Sequence, residues 1–296
     1  MPAEFHLYLP QMRMAMDAIV LRAVAAEQAG FTGIAFMDHL APPGAVEAPM
    51  FEAIVTASWV ASRTERLTVG HLVLCDAFRH PAVLAKQAVS IDHASGGRFE
   101  LGLGWGSQPQ EIDAYGVSAT SPRVRHARLA ETLEVLRRLW SGDTVEYRGA
   151  YHALRDVAPR PLPVRRIPIL IGGTGPRTLE LVAEYADWWN LPLDTLQHLE
   201  RLRPRAGRAR VSAQLLVTLI PASGARDEIV RIARRRFPWA GETGMLVGDA
   251  TELSARFREL ADRGVERFYL WFTDFAPPQT LDAFRPIITE LCGRRG

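Results

Sequence analysis

Three stretches of this chain carry residue types that could do chemistry. Met37-Asp38-His39 sets a carboxylate beside an imidazole, and an imidazole can give and take a proton near neutral pH. The plainer alternative is that the pair only holds the following Pro-Pro-Gly loop by local hydrogen bonds. Leu101-Gly102-Leu103-Gly104-Trp105-Gly106-Ser107 alternates glycines, which let a backbone come close to a flat ring, and Trp105 can wall or stack on one. Taken alone, Gly-x-Gly-x-Gly is a weak signal. Ile169 to Thr178 runs from an apolar strand through Gly172-Gly173-Thr174-Gly175 into a helix opened by Pro176. Such a turn offers free backbone N–H groups at the positive end of a helix dipole and so suits an anion such as a cofactor phosphate; a tight turn without a ligand is the alternative. Asp76 is a weaker candidate facing the same region. His80-Pro81 reads as a helix start, and Glu111 reads first as a helix first-turn carboxylate. Lys86 is the only lysine, and it sits inside a helical pattern, a poor place for Schiff-base chemistry.

These groups need a frame that brings them together. Short apolar or β-branched runs alternate with longer helical patterns, as in parallel strands joined by helical crossovers. Eight such strands are expected: 4–9, 33–37, 67–74, 99–104, 168–172, 187–190, 211–220 and 267–272. Helical spacing of apolar residues recurs over 14–29, 51–63, 81–94, 124–140, 176–185 and 251–263. Eight strand–helix units close a TIM (β/α)8 barrel, here with insertions in its βα loops. An open doubly wound sheet would place a glycine-rich turn after its first strand, and Pro10-Gln11-Met12-Arg13 has no glycine. In a barrel the active site lies at the C-terminal ends of the strands, where all three stretches fall. The insertions 141–166 and 238–249 read as excursions over the barrel, either lids or loose surface segments. The 296 residues show no linker or repeat, so one domain over 1–296 is expected.

Composition excludes several classes. At 48% hydrophobic the chain is globular, and no apolar run approaches the ~18 residues of a membrane span. MPAEFHLYLP has neither a basic n-region nor a long apolar h-region, so a cytoplasmic location is expected. A net charge of +2 with interleaved signs argues against a nucleic-acid face; the basic run 201–210 reads as a solvated helix end. Two cysteines, Cys75 and Cys292, are too few for a disulfide framework or a thiolate zinc site, and no metal is expected.

Several strings resemble the bacterial-luciferase-like flavin and deazaflavin oxidoreductases, and the likeness runs almost the full length. They are GFTGIAFMDH (30–39), TERLTVGHLVLCDAFRHPAVLAKQAVSIDHASGGRFELGLGWG (64–106), IPILIGGTGPRTLELVAEYADWWN (167–190) and the tail from Leu246 to Phe272. The resemblance implies a barrel that binds coenzyme F420 or reduced FMN, with the ring at the mouth and the phosphate at Gly172, Gly173, Thr174 and Gly175. It implies a non-prolyl cis peptide around Leu72-Val73 propping the ring, an acid/base role for His39 beside Asp38, and a homodimer. Asp76, Gly104, Trp105, Gly106 and Ser107 complete the expected cofactor contacts. Sugar-phosphate dehydrogenases of this group carry a Trp and a Glu where this chain has Pro43 and Ser107 or their neighbours, and use lysines it lacks; that substrate is not expected. The Arg-rich, Lys-poor, Ala-rich composition, as in proteins of high-GC genomes, favours F420 over FMN.

The expected activity is therefore F420-dependent hydride transfer to or from a small organic substrate, with His39 moving the proton and the cofactor carrying the redox chemistry. The alternatives are a two-component monooxygenase using reduced FMN, its oxygen chemistry shielded by Phe36, Trp105, Trp189 and Trp271, and a barrel that binds a flavin or deazaflavin without turnover.

Overall fold

The apolar runs of the expected strands have to be buried on both sides of a closed ring, because period two sends every second side chain inward and the others toward the helices. In the computed structural model, which describes residues 3–117, 120–222, 224–241 and 243–292, the chain begins with β1 (Glu4–Tyr8), α1 (Met16–Ala29), β2 (Gly33–Phe36), α2 (Ala53–Ala61), β3 (Thr68–His71), β4 (Leu74–Cys75) and α3 (Pro81–Ala94). It continues with β5 (Phe99–Gly104), α4 (Pro109–Ala114), α5 (Pro122–Leu139), β6 (Val145–Arg148), β7 (Ala153–Val157), β8 (Ile169–Gly172), α6 (Pro176–Tyr185) and β9 (Trp188–Pro192). Then come α7 (Leu199–Leu202), β10 (Arg210–Leu219), α8 (Arg226–Arg236), β11 (Leu246–Gly248), α9 (Ala250–Asp262), β12 (Arg267–Phe272) and α10 (Pro278–Cys292).

The ring runs β1-β2-β3-β5-β8-β9-β10-β12 and back to β1, every pairing parallel. These eight strands are the eight read from the sequence. The third is split: a cis peptide joins Leu72 to Val73, and the chain resumes as β4 along the upper part of β5. Local chemistry sets the helix starts. Pro81 opens α3 while the His80 ring accepts the Ala82 N–H, and Asp249 and Glu252 form a reciprocal capping box on α9. One apolar core fills the space between strands and helices, with Phe5, Phe257, Phe268 and Phe284 in mutual ring contact. The helix α10 falls beyond the sequence-based segments; it buries Leu281, Phe284, Ile287 and Ile288.

Inside the ring the lowest layer is ionic. Arg267, 3% exposed, pairs with Glu100 (2.5 Å) and Glu4 (2.6 Å) and lies over the Trp188 ring at 3.7 Å. Burial alone would push its pKa down, but the Glu100 and Glu4 carboxylates outweigh burial and hold the guanidinium charged. His6 beside it is driven well below its ordinary range by burial and then by Arg267, and so is neutral. An apolar cluster of Tyr8, Ala35, Met37, Leu72, Leu170, Trp188 and Tyr269 runs upward from this floor. Among the described residues, no helix is long and apolar enough to cross a membrane.

Arg267→Ala would leave the Glu100 carboxylate without its cation and Glu4 with Arg210 alone, at 3.2 Å. It is expected to lower unfolding stability by about 3–5 kcal/mol, read from urea denaturation. A loss under about 1 kcal/mol would show that the floor accommodates Glu100 without its cation.

Candidate active site

The C-terminal strand ends enclose a cavity of about 520 Å³. Of the residues singled out in the sequence, Asp38, His39, Leu72, Val73, Gly104, Trp105, Gly106, Ser107, Gly172 and Gly173 line it. Thr174 and Gly175 lie outside the lining, on the turn into α6, and Asp76 lies behind the wall. Tyr8, Asn190 and Gln214 reach it from inside the ring; the alternation within Trp188-Trp189-Asn190 and Ser212-Ala213-Gln214 was the signal that could have found the last two.

Glu111 is the residue that sequence reasoning placed otherwise. Pro109 opens α4, and from its first turn the Glu111 carboxylate crosses to the loop after β2. There it meets Nδ1 of His39 at 2.7 Å and accepts the N–H groups of Leu40 (2.6 Å) and Ala41 (3.2 Å). A carboxylate facing Nδ1 favours the proton there, which leaves the Nε2 lone pair free to take a proton. His39 is thus oriented by a carboxylate on a different element.

Asp38 has another occupation. Its carboxylate accepts the Cys75 N–H (2.7 Å) and a two-pronged contact from Arg79 (2.5 and 2.9 Å), and Arg79 also reaches Glu52 at 2.5 Å. The sequence reading paired Asp38 with His39 for proton handling; in the structure these contacts make Asp38 a latch between the β2 loop and β4. Asp76, expected at the cofactor, lies outside the cavity lining. It is 2% exposed and sits near Arg128 (3.3 Å), and burial, opposed by Thr132 and Arg128, raises its pKa to about 6.

The glycines of β5 have a different reason from the one the sequence suggested. A Cβ on Gly102 would lie 1.8 Å from the His71 carbonyl oxygen, one on Gly104 2.8 Å from Val73, and one on Gly106 2.8 Å from the Cys75 sulfur. They admit the β3–β4 segment, and Gly104 and Gly106 thereby bare backbone to the cavity. Around Gly172 a Cβ would meet nothing nearer than 3.6 Å, so that backbone is open to a ligand. Gly173, at φ +122, turns the chain, and its carbonyl accepts the Trp189 indole N–H at 2.8 Å. No side chain caps α6, whose first turn has Pro176 at its start, so the amides of that turn have no intrahelical acceptor. Trp105 presents one face to the cavity, with Arg125 over its ring at 4.8 Å and His126 at 4.8 Å. Phe36 and Trp189 are fully buried in the outer core rather than at the cavity.

Comparison with known proteins follows this geometry. The family model for luciferase-like monooxygenase matches residues 1–273. The chain belongs to the luciferase-like monooxygenase family. Among curated relatives, the F420-dependent glucose-6-phosphate dehydrogenase of Microbacterium testaceum is 30% identical over 263 residues, 83% of this chain and 77% of that one. The F420-dependent hydroxymycolic acid dehydrogenase of Mycobacterium tuberculosis is 30% identical over 73% of this chain and 59% of its own length. In structure, an F420-dependent secondary alcohol dehydrogenase in complex with an F420-acetone adduct superposes with a TM-score of 0.82 at 19% identity, covering 98% of this chain and 99% of that one. That likeness establishes the shared barrel.

A raised pKa on a buried carboxyl makes a signed prediction. Between the unfolded value near 3.8 and the folded value of about 6 the native state holds the extra proton at Asp76, so its contribution to stability falls as pH rises through that window. Asp76→Asn is expected to gain stability relative to wild type at pH 7 compared with pH 4, measured as the difference in urea midpoint. An unchanged difference would remove Asp76 as the titrating group.

Proposed function

We propose that this protein is a coenzyme F420-dependent oxidoreductase that moves a hydride to or from a small organic substrate, with His39 handling the proton. The observation that carries the reading is the His39–Glu111 contact at the mouth of a cavity whose opposite edge is bare glycine backbone beside an uncapped helix start. The F420-dependent names of the curated relatives support it.

The residues present fit a flat ring with a phosphorylated chain. The cavity's size suits a cofactor. Leu72 and Val73, flanking the cis peptide, and Gly104 to Ser107 beside them form one continuous wall. Gly172, Gly173, Thr174, Gly175 and the first amides of α6 would hold the phosphate. When bound, the deazaflavin supplies a carbon that accepts or donates a hydride. The protein's own part is positional and protonic. Glu111 fixes the His39 ring, so that Nε2 can take a proton from a hydroxyl or return it to a carbonyl oxygen. Asp38 and Arg79 keep the β2 loop against β4, and Trp105 limits water at that side. FMN would meet the same backbone, which is the basis of the alternative reading as a monooxygenase using reduced FMN. A single barrel domain working in the cytoplasm as a homodimer completes the proposal; the exposed Val55 and Trp59 of α2, with Leu21 of α1, support a partner surface.

Titration of the purified protein with oxidised F420 and with FMN, followed by fluorescence, tests the cofactor. Micromolar or tighter binding of F420 alone supports the proposal, and selective FMN binding overturns it in favour of oxygen chemistry. Gly173→Asp is expected to abolish binding through charge repulsion at the phosphate, and unchanged affinity would move the phosphate elsewhere. His39→Ala is expected to cut turnover by about 10²–10⁴ with cofactor affinity nearly intact, and Glu111→Gln to cut it at least about tenfold by loosening the ring. Equal rates for His39→Ala and wild type would end the acid/base role.

A further inference from the structure

A second chamber of about 260 Å³ adjoins the main cavity, with Pro192 and Gln214 lining both. Its far wall is apolar, formed by Leu216, Trp239, Ala240 and Trp271. Two features of the chain make it. The alternation of β10 and β12 sets Leu216 beside Trp271 in register at the top of the ring, and the 238–249 excursion brings Trp239 to 5.8 Å from the Trp271 ring, with Phe237 edge-on behind at 5.3 Å. Trp239 stays 65% exposed, so the core does not use that aromatic surface, and a large unburied indole at a cavity mouth is informative where a scattered leucine would not be.

Charge narrows the ligand further. Neither chamber is lined by a lysine or an arginine among the described residues. The acidic and imidazole lining groups are Asp38 and Glu111, both committed to contacts of their own, His39, and Asp194 at the side chamber, while burial keeps the Tyr8 phenol and Cys75 thiol neutral. A phosphate or carboxylate on the substrate would face carboxylates with no cation to compensate, which excludes it by repulsion as well as by desolvation. Gln214 at the junction, hydrogen-bonded to the Tyr8 hydroxyl, offers an amide to one neutral oxygen.

We propose that the substrate is an uncharged, ring-bearing alcohol or the matching carbonyl compound, its ring in the Leu216–Trp239–Trp271 chamber and its oxygen in the main cavity between Gln214 and His39. This rests on the deazaflavin reading for the reaction, while the binding itself can be measured apart from turnover. The test is calorimetric titration of the full-length protein with 2-acetonaphthone and, in parallel, with glucose 6-phosphate, each with and without saturating oxidised F420, in which no redox step can proceed. The ketone is expected to bind saturably and glucose 6-phosphate not at all. Trp239→Ala, an exposed site whose truncation leaves the fold in place, is expected to weaken the ketone about tenfold or more. Leu216→Arg, checked for an unchanged melting temperature, is expected to block it.

Comparable binding of glucose 6-phosphate, absence of ketone binding in both states, or wild-type affinity in Trp239→Ala would overturn the proposal. Ketone binding that depends on Trp239 in a protein that fails to bind F420 would keep the chamber and remove the deazaflavin. F420 binding without ketone binding would remove this inference alone.

Discussion

Closing eight parallel strands into a ring forces every second side chain into a space whose composition each strand must supply. A charge placed there needs a partner at the same height. Registers Glu4↔Arg267 and Ser212↔Arg267, with Glu100 reaching across from β5, meet that need at the floor. Two residues further along the same strands come His6, Tyr269 and Gln214, and two beyond those come Tyr8, Trp271 and Leu216. The ring therefore passes from ionic to polar to apolar as it rises, and the cavity begins where the inward side chains no longer fill it. The site follows from the same register that seals the floor.

Above the ring, the polar groups are bound to one another with one opening left. Asp38 is saturated by Arg79 and the Cys75 amide, and Glu111 by His39 and two loop amides. Two acids that could compete for a proton are thereby fixed as acceptors, and Nε2 of His39 is the ring nitrogen left for chemistry. This arrangement is stiff, because each carboxylate ties two elements: β2 to β4 in one case, β2 to α4 in the other. A loop carrying an acid/base group needs that stiffness, since the reacting proton must travel within hydrogen-bond distance.

Much of this was legible in sequence, and the limits have physical causes. Short apolar or β-branched runs marked all eight ring strands, and Pro81 and Pro176 marked two helix starts to the residue. His39 was legible because local order alone puts it at a strand end. Its partner was not, because Glu111 lies 72 residues away and a carboxylate on the first turn of a helix has a sufficient local explanation. Arg79 as the partner of Asp38 was hidden in the same way, 41 residues off. The β5 glycines were legible as special positions but were assigned to a ligand, whereas their nearest constraint is His71, Val73 and Cys75 on the neighbouring segment. Sequence shows that a side chain is absent and leaves unstated what takes its room.

The two insertions show how one fold divides chemistry from selectivity. The 141–166 segment spends its contacts on the outside of the barrel: it forms the β6–β7 hairpin, the Glu131 carboxylate of α5 accepts the N–H groups of Ala150, Tyr151 and His152, and Asp92 of α3 accepts that of Val164. None of its residues lines the cavity, so the expectation of a lid over the mouth does not hold for it. The 238–249 segment does the opposite: its Ala240 and Met245 join a small core with Leu216, Ala233 and Phe237, and its Trp239 is left at the chamber. On the proposed reading the proton-handling His39 and its partner Glu111 come from the β2 loop and α4, while the surface that would meet the rest of a substrate comes from an excursion outside the ring. On that reading a change at Trp239 would alter which molecule fits and leave the His39–Glu111 pair in place, because among the described residues no hydrogen bond joins Trp239 to that pair.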